Sequence, residues 1–201
     1  LPFLAANTAL WLWHLPVAYD AALSDMAIYD RVEVVRGATG LLSGAGSPSA
    51  TLNLVRKRPT KTFQASAEAA IGSHDRLRGV GDISAPLTED GRVRARVVAV
   101  AQNARSHVDD YSRNVRSLYG IIEADLDEST LATFGFTYQK ERNSGYDWSG
   151  LPSKESGAFY PVSRSTSLTG DWNHLDKRNT TLFADIQHTF ANGWKGVVAV
   201  N

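Results

Sequence analysis

From Thr60 onward the sequence alternates between apolar and polar residues in segments of about ten residues. This period of two is typical of β-strands that have one apolar face and one polar face. The third segment shows it most clearly, because Arg92, Arg94 and Arg96 fall on one face while valines and alanines fall on the other. Seven such segments can be drawn, and no helical periodicity is visible. The pattern predicts an all-β chain.

The same pattern restricts how the chain could cross a membrane. No window reaches the roughly 18 consecutive apolar residues that a membrane helix requires, so any span must consist of β-strands. The connections alternate between tight turns, at 88–91, 127–130 and 191–193, and longer loops, of which 143–177 is the longest. In outer-membrane barrels, short turns face the periplasm and long loops face the outside. The tight turns therefore predict the periplasmic edge of an antiparallel transmembrane β-barrel.

Composition and motifs argue against other classes of function. The formal net charge is zero, so no global basic field favours nucleic acid. The absence of cysteine excludes a disulfide framework and a thiolate metal site, and the five histidines show no HxxxH or HExxH spacing. The glycine-rich RGATGLLSGAGS lacks the lysine of a phosphate-binding loop, and no GxSxG elbow is present. We expect neither a protein metal site nor an enzyme.

The run DRVEVVRGATGLLSGAGSPSATLNLVRKRPT, residues 30–60, combines a short apolar strand, a glycine-rich turn and a basic exit in that order. It resembles the end of the plug domain of TonB-dependent outer-membrane receptors, just before the first barrel strand. Its sequence LLSGAGSPSATLNLVRKRP is more similar to that of ferric-siderophore receptors than to that of receptors for cobalamin or sugars. Which siderophore it would take stays open.

This resemblance implies a domain organisation. Residues 1–59 would form the C-terminal part of a plug, and residues 60–201 would form the N-terminal strands of an incomplete barrel. In the resembled family the barrel has 22 strands and encloses the plug. Seven strands cannot close such a barrel, and open sheet edges in lipid leave backbone groups unpaired. We therefore expect this chain to be a fragment, located in the outer membrane of a Gram-negative bacterium.

The resemblance also implies a function. The expected activity is uptake of a ferric siderophore, driven by TonB with ExbB and ExbD through a region outside this sequence. Iron would arrive as chelated cargo, so no cofactor is expected, and the partners would be the siderophore, TonB and outer-membrane lipid. The alternatives are a receptor for haem, cobalamin or a glycan, a passive porin, and a soluble β-rich binding module.

Several residues are candidates for binding the ligand. Aromatic residues of an extracellular loop offer rigid contact area, and arginines can pair with an anionic chelate. The alternative, weighted equally, is that the aromatic residues only pack the loop. The candidates are Tyr146, Trp148 and Tyr160, with Arg142 and Arg164.

Two charged positions are candidates for holding the plug. The resemblance implies that Glu33 and Arg36 pair with charges on the barrel wall, with partners beyond Asn201. The basic cluster of Arg56, Lys57 and Arg58 is interpreted as a solvated periplasmic hinge rather than as a binding site.

Overall fold

The computed structural model describes residues 25–36, 50–147, 152–170 and 172–201. Within these residues the chain forms nine β-strands and one 3₁₀ turn, Met26–Ile28. None of the helical structure described is long and apolar enough to cross a membrane. The strands are β1 (Tyr29–Arg36), β2 (Ala50–Arg56), β3 (Gln64–Gly72), β4 (Arg76–Pro86), β5 (Val93–Arg105), β6 (Ser112–Asp125), β7 (Thr130–Ser144), β8 (His174–Thr189) and β9 (Lys195–Val200).

Strands β1 and β2 pair with each other and form a small sheet. The pairing is antiparallel, from Tyr29 opposite Arg56 to Arg36 opposite Ala50, with an irregularity between Tyr29 and Arg31. The glycine-rich run that joins the two strands, residues 37–49, lies outside the described residues. Glu33 lies in the middle of β1, opposite Asn53.

Strands β3 to β9 form one antiparallel sheet in which each strand pairs with its neighbours in sequence. The seven predicted strands are therefore confirmed, although β7 and β8 are longer than the alternation indicated. They extend to Ser144 and from His174, which shortens the predicted 143–177 loop to 145–173. The alternation fades there because polar residues occupy both faces, but backbone hydrogen bonds continue the ladder whatever the side chains are.

The two faces of the large sheet differ as predicted. One face, here called the outer face, exposes apolar side chains, including Phe134 and Leu182, which are 54% and 59% exposed. The other, here called the inner face, buries polar and charged side chains such as Asp82, Arg94 and Glu123. Apolar outside and polar inside is the arrangement of a membrane barrel wall.

An apolar cluster interrupts the polar inner face. Val98, Tyr119, Ile121 and Phe183 are buried there, and Ile28 of the 3₁₀ turn packs against them with no exposed surface. The period of two does not distinguish these residues, because they occupy the face that is otherwise polar. The small sheet and its 3₁₀ turn are thus seated on the inner face by hydrophobic contact.

Gly135 makes room for the Phe183 ring of this cluster. It lies directly opposite Phe183, and a Cβ atom added to Gly135 would overlap the Phe183 ring. The ring of Tyr119 stacks beside it at 6.4 Å between centroids. A missing side chain on β7 therefore allows an aromatic side chain of β8 to lie flat against the sheet.

Candidate functional site

The basic residues that follow β2 bind the inner face. The Lys57 Nζ lies 2.8 Å from Asp82 Oδ2, and the Arg58 Nε lies 2.9 Å from Glu123 Oε1. The guanidinium carbon of Arg56 lies 4.2 Å from the centroid of the Phe183 ring. The prediction that this cluster is solvated is therefore wrong for Lys57, whose side chain is 24% exposed, whereas the Arg58 side chain is half exposed, and the hinge itself stays a prediction. Tertiary pairing with wall carboxylates on distant strands, which no local pattern displays, holds these side chains in place.

Each wall carboxylate in this region is shared with an arginine of β5. Asp82 accepts two 2.8 Å hydrogen bonds from Arg96, and Glu123 accepts bonds of 3.0 and 2.7 Å from Arg94. Arg94 also donates to Asp125, 2.8 Å away. Arg94 and Arg96, which the sequence pattern assigned to the polar face, therefore hold these carboxylates in position to pair with Lys57 and Arg58. Arg96 pairs with both oxygens of Asp82, whereas both bonds from Arg94 end on Oε2 of Glu123. Ion pairs reinforced by several hydrogen bonds tolerate burial.

Hydrogen bonds to backbone carbonyl and N–H groups fix the exit segment, residues 57–61. The hydroxyl of Tyr119 donates to the Lys57 carbonyl at 2.7 Å, and Arg96 donates to the Arg58 carbonyl at 3.0 Å. The Lys57 N–H donates to the Ile28 carbonyl at 3.1 Å, which ties the exit segment to the 3₁₀ turn. The backbone therefore remains positioned on the wall even where a side-chain ion pair is exchanged.

A second anchor joins the 3₁₀ turn to β4. Asp25 caps the turn by accepting from the Ala27 N–H at 2.9 Å, and Arg78 donates to both of its carboxylate oxygens, at 2.7 and 2.8 Å. Gln139 accepts from the Asp25 N–H at 3.1 Å. Burial alone would raise the pKa of Asp25, but the bonds from Arg78 and Ala27 outweigh it, so the pKa lies below its usual value. The sequence reasoning did not find this pair, because no local motif marks Asp25.

The inner face stays polar beyond this anchor, toward the 145–173 connection. Arg113 donates to both oxygens of Glu141, at 2.9 and 3.0 Å, and Asn143 donates to the same carboxylate at 3.0 Å. The Tyr111 hydroxyl donates to Asn143 Oδ1 at 3.2 Å. This wall offers fixed polar groups on the way from the long connection to the small sheet.

The residues predicted to bind the ligand lie in different places. Arg142 is on the outer face, exposed, with its Nε 3.7 Å from Asp176. Tyr146 begins the long connection, and its carbonyl accepts from Asn173 at 2.6 Å. Tyr160 is half exposed, with Lys154 Nζ 5.6 Å from its ring centroid.

Arg164 and Trp148 are the other two residues predicted to bind the ligand. Arg164 is exposed in the same connection as Tyr160, and the carbonyl of its neighbour Ser165 accepts from the Asp109 N–H at 2.8 Å. This bond joins the long connection to the loop between β5 and β6. Trp148 lies outside the described residues. The structure thus keeps Tyr160 and Arg164 together on one connection but separates Arg142 from them.

Glu33 has partners within the small sheet. It accepts from Arg31 Nε at 2.8 Å and from Asn53 Nδ2 at 2.9 Å, and these two bonds, the one from Asn53 first, lower its pKa. The Arg36 side chain lies outside the described part of the structure. Pairing of these two residues with the barrel wall stays a prediction. No cluster of three or more His, Asp or Glu side chains in the described ranges is placed to hold a metal ion.

Comparison with known proteins decides the family. No protein-family model matches the chain. The chain is 48% identical over 189 residues to the ferripyoverdine receptor of Pseudomonas aeruginosa, and 44% identical over 180 residues to the ferric-pyoverdine BN7/BN8 receptor of Pseudomonas putida. These alignments cover 92% and 89% of this chain but 23% and 22% of the relatives. The chain belongs to the TonB-dependent siderophore receptors.

Solved structures of such receptors agree with this assignment. The crystal structure of the P. aeruginosa ferripyoverdine receptor bound to ferripyoverdine matches with a TM-score of 0.83 at 47% identity, over 88% of this chain and 24% of that one. The alcaligin receptor of Bordetella pertussis matches with a TM-score of 0.67 at 40% identity, over 84% of this chain and 24% of that one.

This TonB-dependent receptor segment therefore spans about a quarter of the length of its relatives. Its seven-stranded sheet is part of a barrel in the outer membrane of a Gram-negative bacterium, as the sequence predicted. The relatives are transport receptors. The division at residues 59 and 60 stays a prediction, and it falls between the end of β2 and the start of β3.

Proposed function

We propose that the protein containing this segment takes up a ferric siderophore of the pyoverdine class across the outer membrane. The observation that carries the proposal is the small sheet seated on the inner face of a barrel wall whose relatives are ferric-pyoverdine receptors. Iron enters as chelated cargo, the protein holds no cofactor of its own, and it catalyses no reaction. Energy comes from TonB with ExbB and ExbD, which pull on the plug.

The contacts between plug and wall suit a domain that must be both held and released. The ion pairs of Lys57 with Asp82 and of Arg58 with Glu123 each leave the wall carboxylate partnered by an arginine when the plug moves away. A carboxylate without any partner would make release costly, because an uncompensated buried charge costs about 3–5 kcal/mol. Arg96 and Arg94 stay paired with Asp82 and Glu123 and so remove most of that cost.

Binding of the siderophore is proposed at the outer ends of the strands. Tyr146, Trp148 and Tyr160 would contact the chelate, and Arg164 would pair with its anionic groups. Arg142 would contribute only if its side chain leaves Asp176 and the outer face. The polar wall of Arg113, Glu141 and Asn143 would then receive the chelate on its way inward.

Uptake of radioactive iron tests the proposal. The full-length protein is expressed in a strain that lacks its own ferric-pyoverdine receptors, and cells are given ⁵⁵Fe bound to pyoverdines with different peptide chains. We expect saturable uptake of one or a few of them, abolished by deletion of TonB or by a protonophore. Uptake that survives without TonB would identify a passive barrel. Uptake of labelled haem, cobalamin or a glycan, with no uptake of any ferric pyoverdine, would identify a receptor for another solute.

Variants of the long connection separate ligand binding from packing. Tyr160→Ala and Arg164→Gln are expected to weaken binding of the ferric siderophore to the full-length receptor, measured by retention of ⁵⁵Fe-labelled ferric pyoverdine on filters. Val162→Ala is the matched control, because this residue is exposed in the same connection. Equal affinity of all three variants would assign the aromatic residues to packing. Arg142→Gln decides separately whether the outward arginine takes part.

A further inference from the structure

Three basic side chains lie side by side on the outer face of the large sheet. Arg116 of β6 is directly opposite Lys140 of β7, and Lys140 is directly opposite Arg178 of β8. Their sequence neighbours Ser117 and Gln139 are buried on the inner face, so the three basic residues point the other way. We call these three residues the cationic row.

The cationic row has no carboxylate partner in the described part of the protein. Arg116 donates to the carbonyls of Gln102 and Val115 and to the Asn103 side chain, and Lys140 and Arg178 form no ion pair there. Like charges that face each other across strands destabilise a sheet. Three adjacent cations without a counter-charge among the described residues therefore indicate an anion supplied from outside this part of the protein.

The carboxylate next along β8 is already engaged. Asp176, two positions before Arg178 on the same face, lies 3.7 Å from Arg142 Nε and 3.9 Å from His174 Nε2. It pairs with Arg142 in the next row rather than with the cationic row. The patch as a whole therefore keeps an excess of positive charge.

The position of the row along the strands indicates what the anion is. Leu126 marks the turn edge of the outer face, and Arg116 lies ten residues from it on the same side of the sheet. Ten residues span roughly 34 Å along a strand, or about 26 Å along the barrel axis at a tilt of about 40°. The apolar band of an outer-membrane barrel is about 25 Å tall. The row therefore lies at the far border of the band, at the depth of lipid headgroups.

We propose that the cationic row binds the phosphate groups of a phosphorylated lipid in the outer leaflet. Arginine forms paired hydrogen bonds with phosphate, and lysine adds a mobile point charge, so the three side chains together match a headgroup with more than one phosphate. Outward leucines and aromatic residues below the row, including Leu118 and Phe134, would contact the acyl chains. The site goes beyond siderophore uptake and does not depend on it.

Lipid titrations of the full-length receptor test the site. The purified, delipidated receptor is titrated with bis-phosphorylated lipid A, with dephosphorylated lipid A and with inorganic phosphate, and bound lipid is counted by native mass spectrometry. The variant Lys140→Gln/Arg178→Gln is compared with Arg92→Gln/Lys195→Gln, a control with the same loss of charge at the periplasmic edge. We expect the row variant to bind bis-phosphorylated lipid A about tenfold more weakly or worse.

The controls make each outcome decisive. The receptor without substitutions and the control variant should bind the phosphorylated lipid equally, and dephosphorylated lipid A should bind all three proteins weakly. The row variant should show the same heat-dependent shift in gel migration as the receptor without substitutions, which shows that the variant is folded. Equal affinity of the row variant and the control for the phosphorylated lipid would overturn the proposal. So would displacement of the lipid by millimolar inorganic phosphate, because the site would then be one for free phosphate.

Discussion

The Lys57 Nζ of the exit segment lies 2.8 Å from Asp82 Oδ2 of the barrel wall, and Arg96 of the neighbouring strand pairs with the same carboxylate. Lys57 belongs to the exit segment, whereas Arg96 belongs to the barrel wall. A carboxylate with two cations can lose one and stay paired. Under the proposed function, this arrangement would let a plug be anchored firmly and still be released.

Removal of this carboxylate is expected to loosen the plug. Asp82→Asn leaves Lys57 and Arg96 facing each other, which we expect to destabilise plug seating by about 2–3 kcal/mol, less than for a fully buried pair because Lys57 is partly exposed. The measurement is maleimide labelling of an Ala27→Cys reporter in the full-length receptor across a urea series. Asp90→Asn, in an exposed turn, is the matched control. An unchanged urea midpoint for Asp82→Asn would contradict the anchoring role.

Tyr119 should matter through both its ring and its hydroxyl. Tyr119→Phe keeps the ring in the apolar cluster but leaves the Lys57 carbonyl without its 2.7 Å donor, at an expected cost of about 1–2 kcal/mol. Tyr119→Ala also removes the ring, and about 3–5 kcal/mol is expected. The same labelling assay measures both. If Tyr119→Phe cost as much as Tyr119→Ala, the ring would contribute little and the packing account would fail.

Acid is expected to release the anchor at Asp25. Its pKa is lowered in the folded protein, so the carboxylate stabilises the seated plug above its ordinary pKa of 3.8, and this stability is lost as the pH falls below that value. Hydrogen exchange at residues 26–29 in the full-length receptor, followed from pH 6 to pH 3, should show protection that decreases at the acidic end.

The neutral variant supplies the control for this experiment. Asp25→Asn should show weaker protection at pH 6 and a smaller change between pH 5 and pH 3, because the group that titrates has been removed. Identical acid dependence in both proteins would assign the effect to other carboxylates. Arg78→Gln should also weaken protection at pH 6, but its Asp25 carboxyl is still present and has lost the bonds that lower its pKa, so the remaining protection should fall at a higher pH than in the unsubstituted protein.

Gly135 is expected to tolerate no side chain. A methyl group at this position would collide with the Phe183 ring and with the Gly120 carbonyl, which lies 2.8 Å from the added atom. We expect Gly135→Ala to cost about 1–3 kcal/mol through overpacking. Gly79→Ala, on β4 with open space around the added atom, should be neutral or slightly stabilising. The temperature at which the folded gel band disappears compares the two, and equal values would refute the steric account.

The sequence by itself determined the strands and their faces. Successive residues of a barrel strand face the lipid and the interior in turn, and their polarity alternates accordingly. Residues such as Phe134 and Thr133 could therefore be assigned to opposite faces without coordinates. The motif at 30–60 also determined the family, because its glycines, proline and basic residues keep a fixed order. The alternation and the motif each depend only on residues close together in the chain, so both can be recognised in a single sequence.

Only the tertiary structure decided which charges meet. Asp25 pairs with Arg78, which lies 53 residues away in the sequence, and Arg94 pairs with Glu123, which lies 29 residues away. These pairings depend on strand register and on where the 3₁₀ turn lies on the inner face, and neither quantity is encoded in a short window. The same holds for the cationic row, whose members lie far apart in sequence and become neighbours only because three antiparallel strands bring them into register.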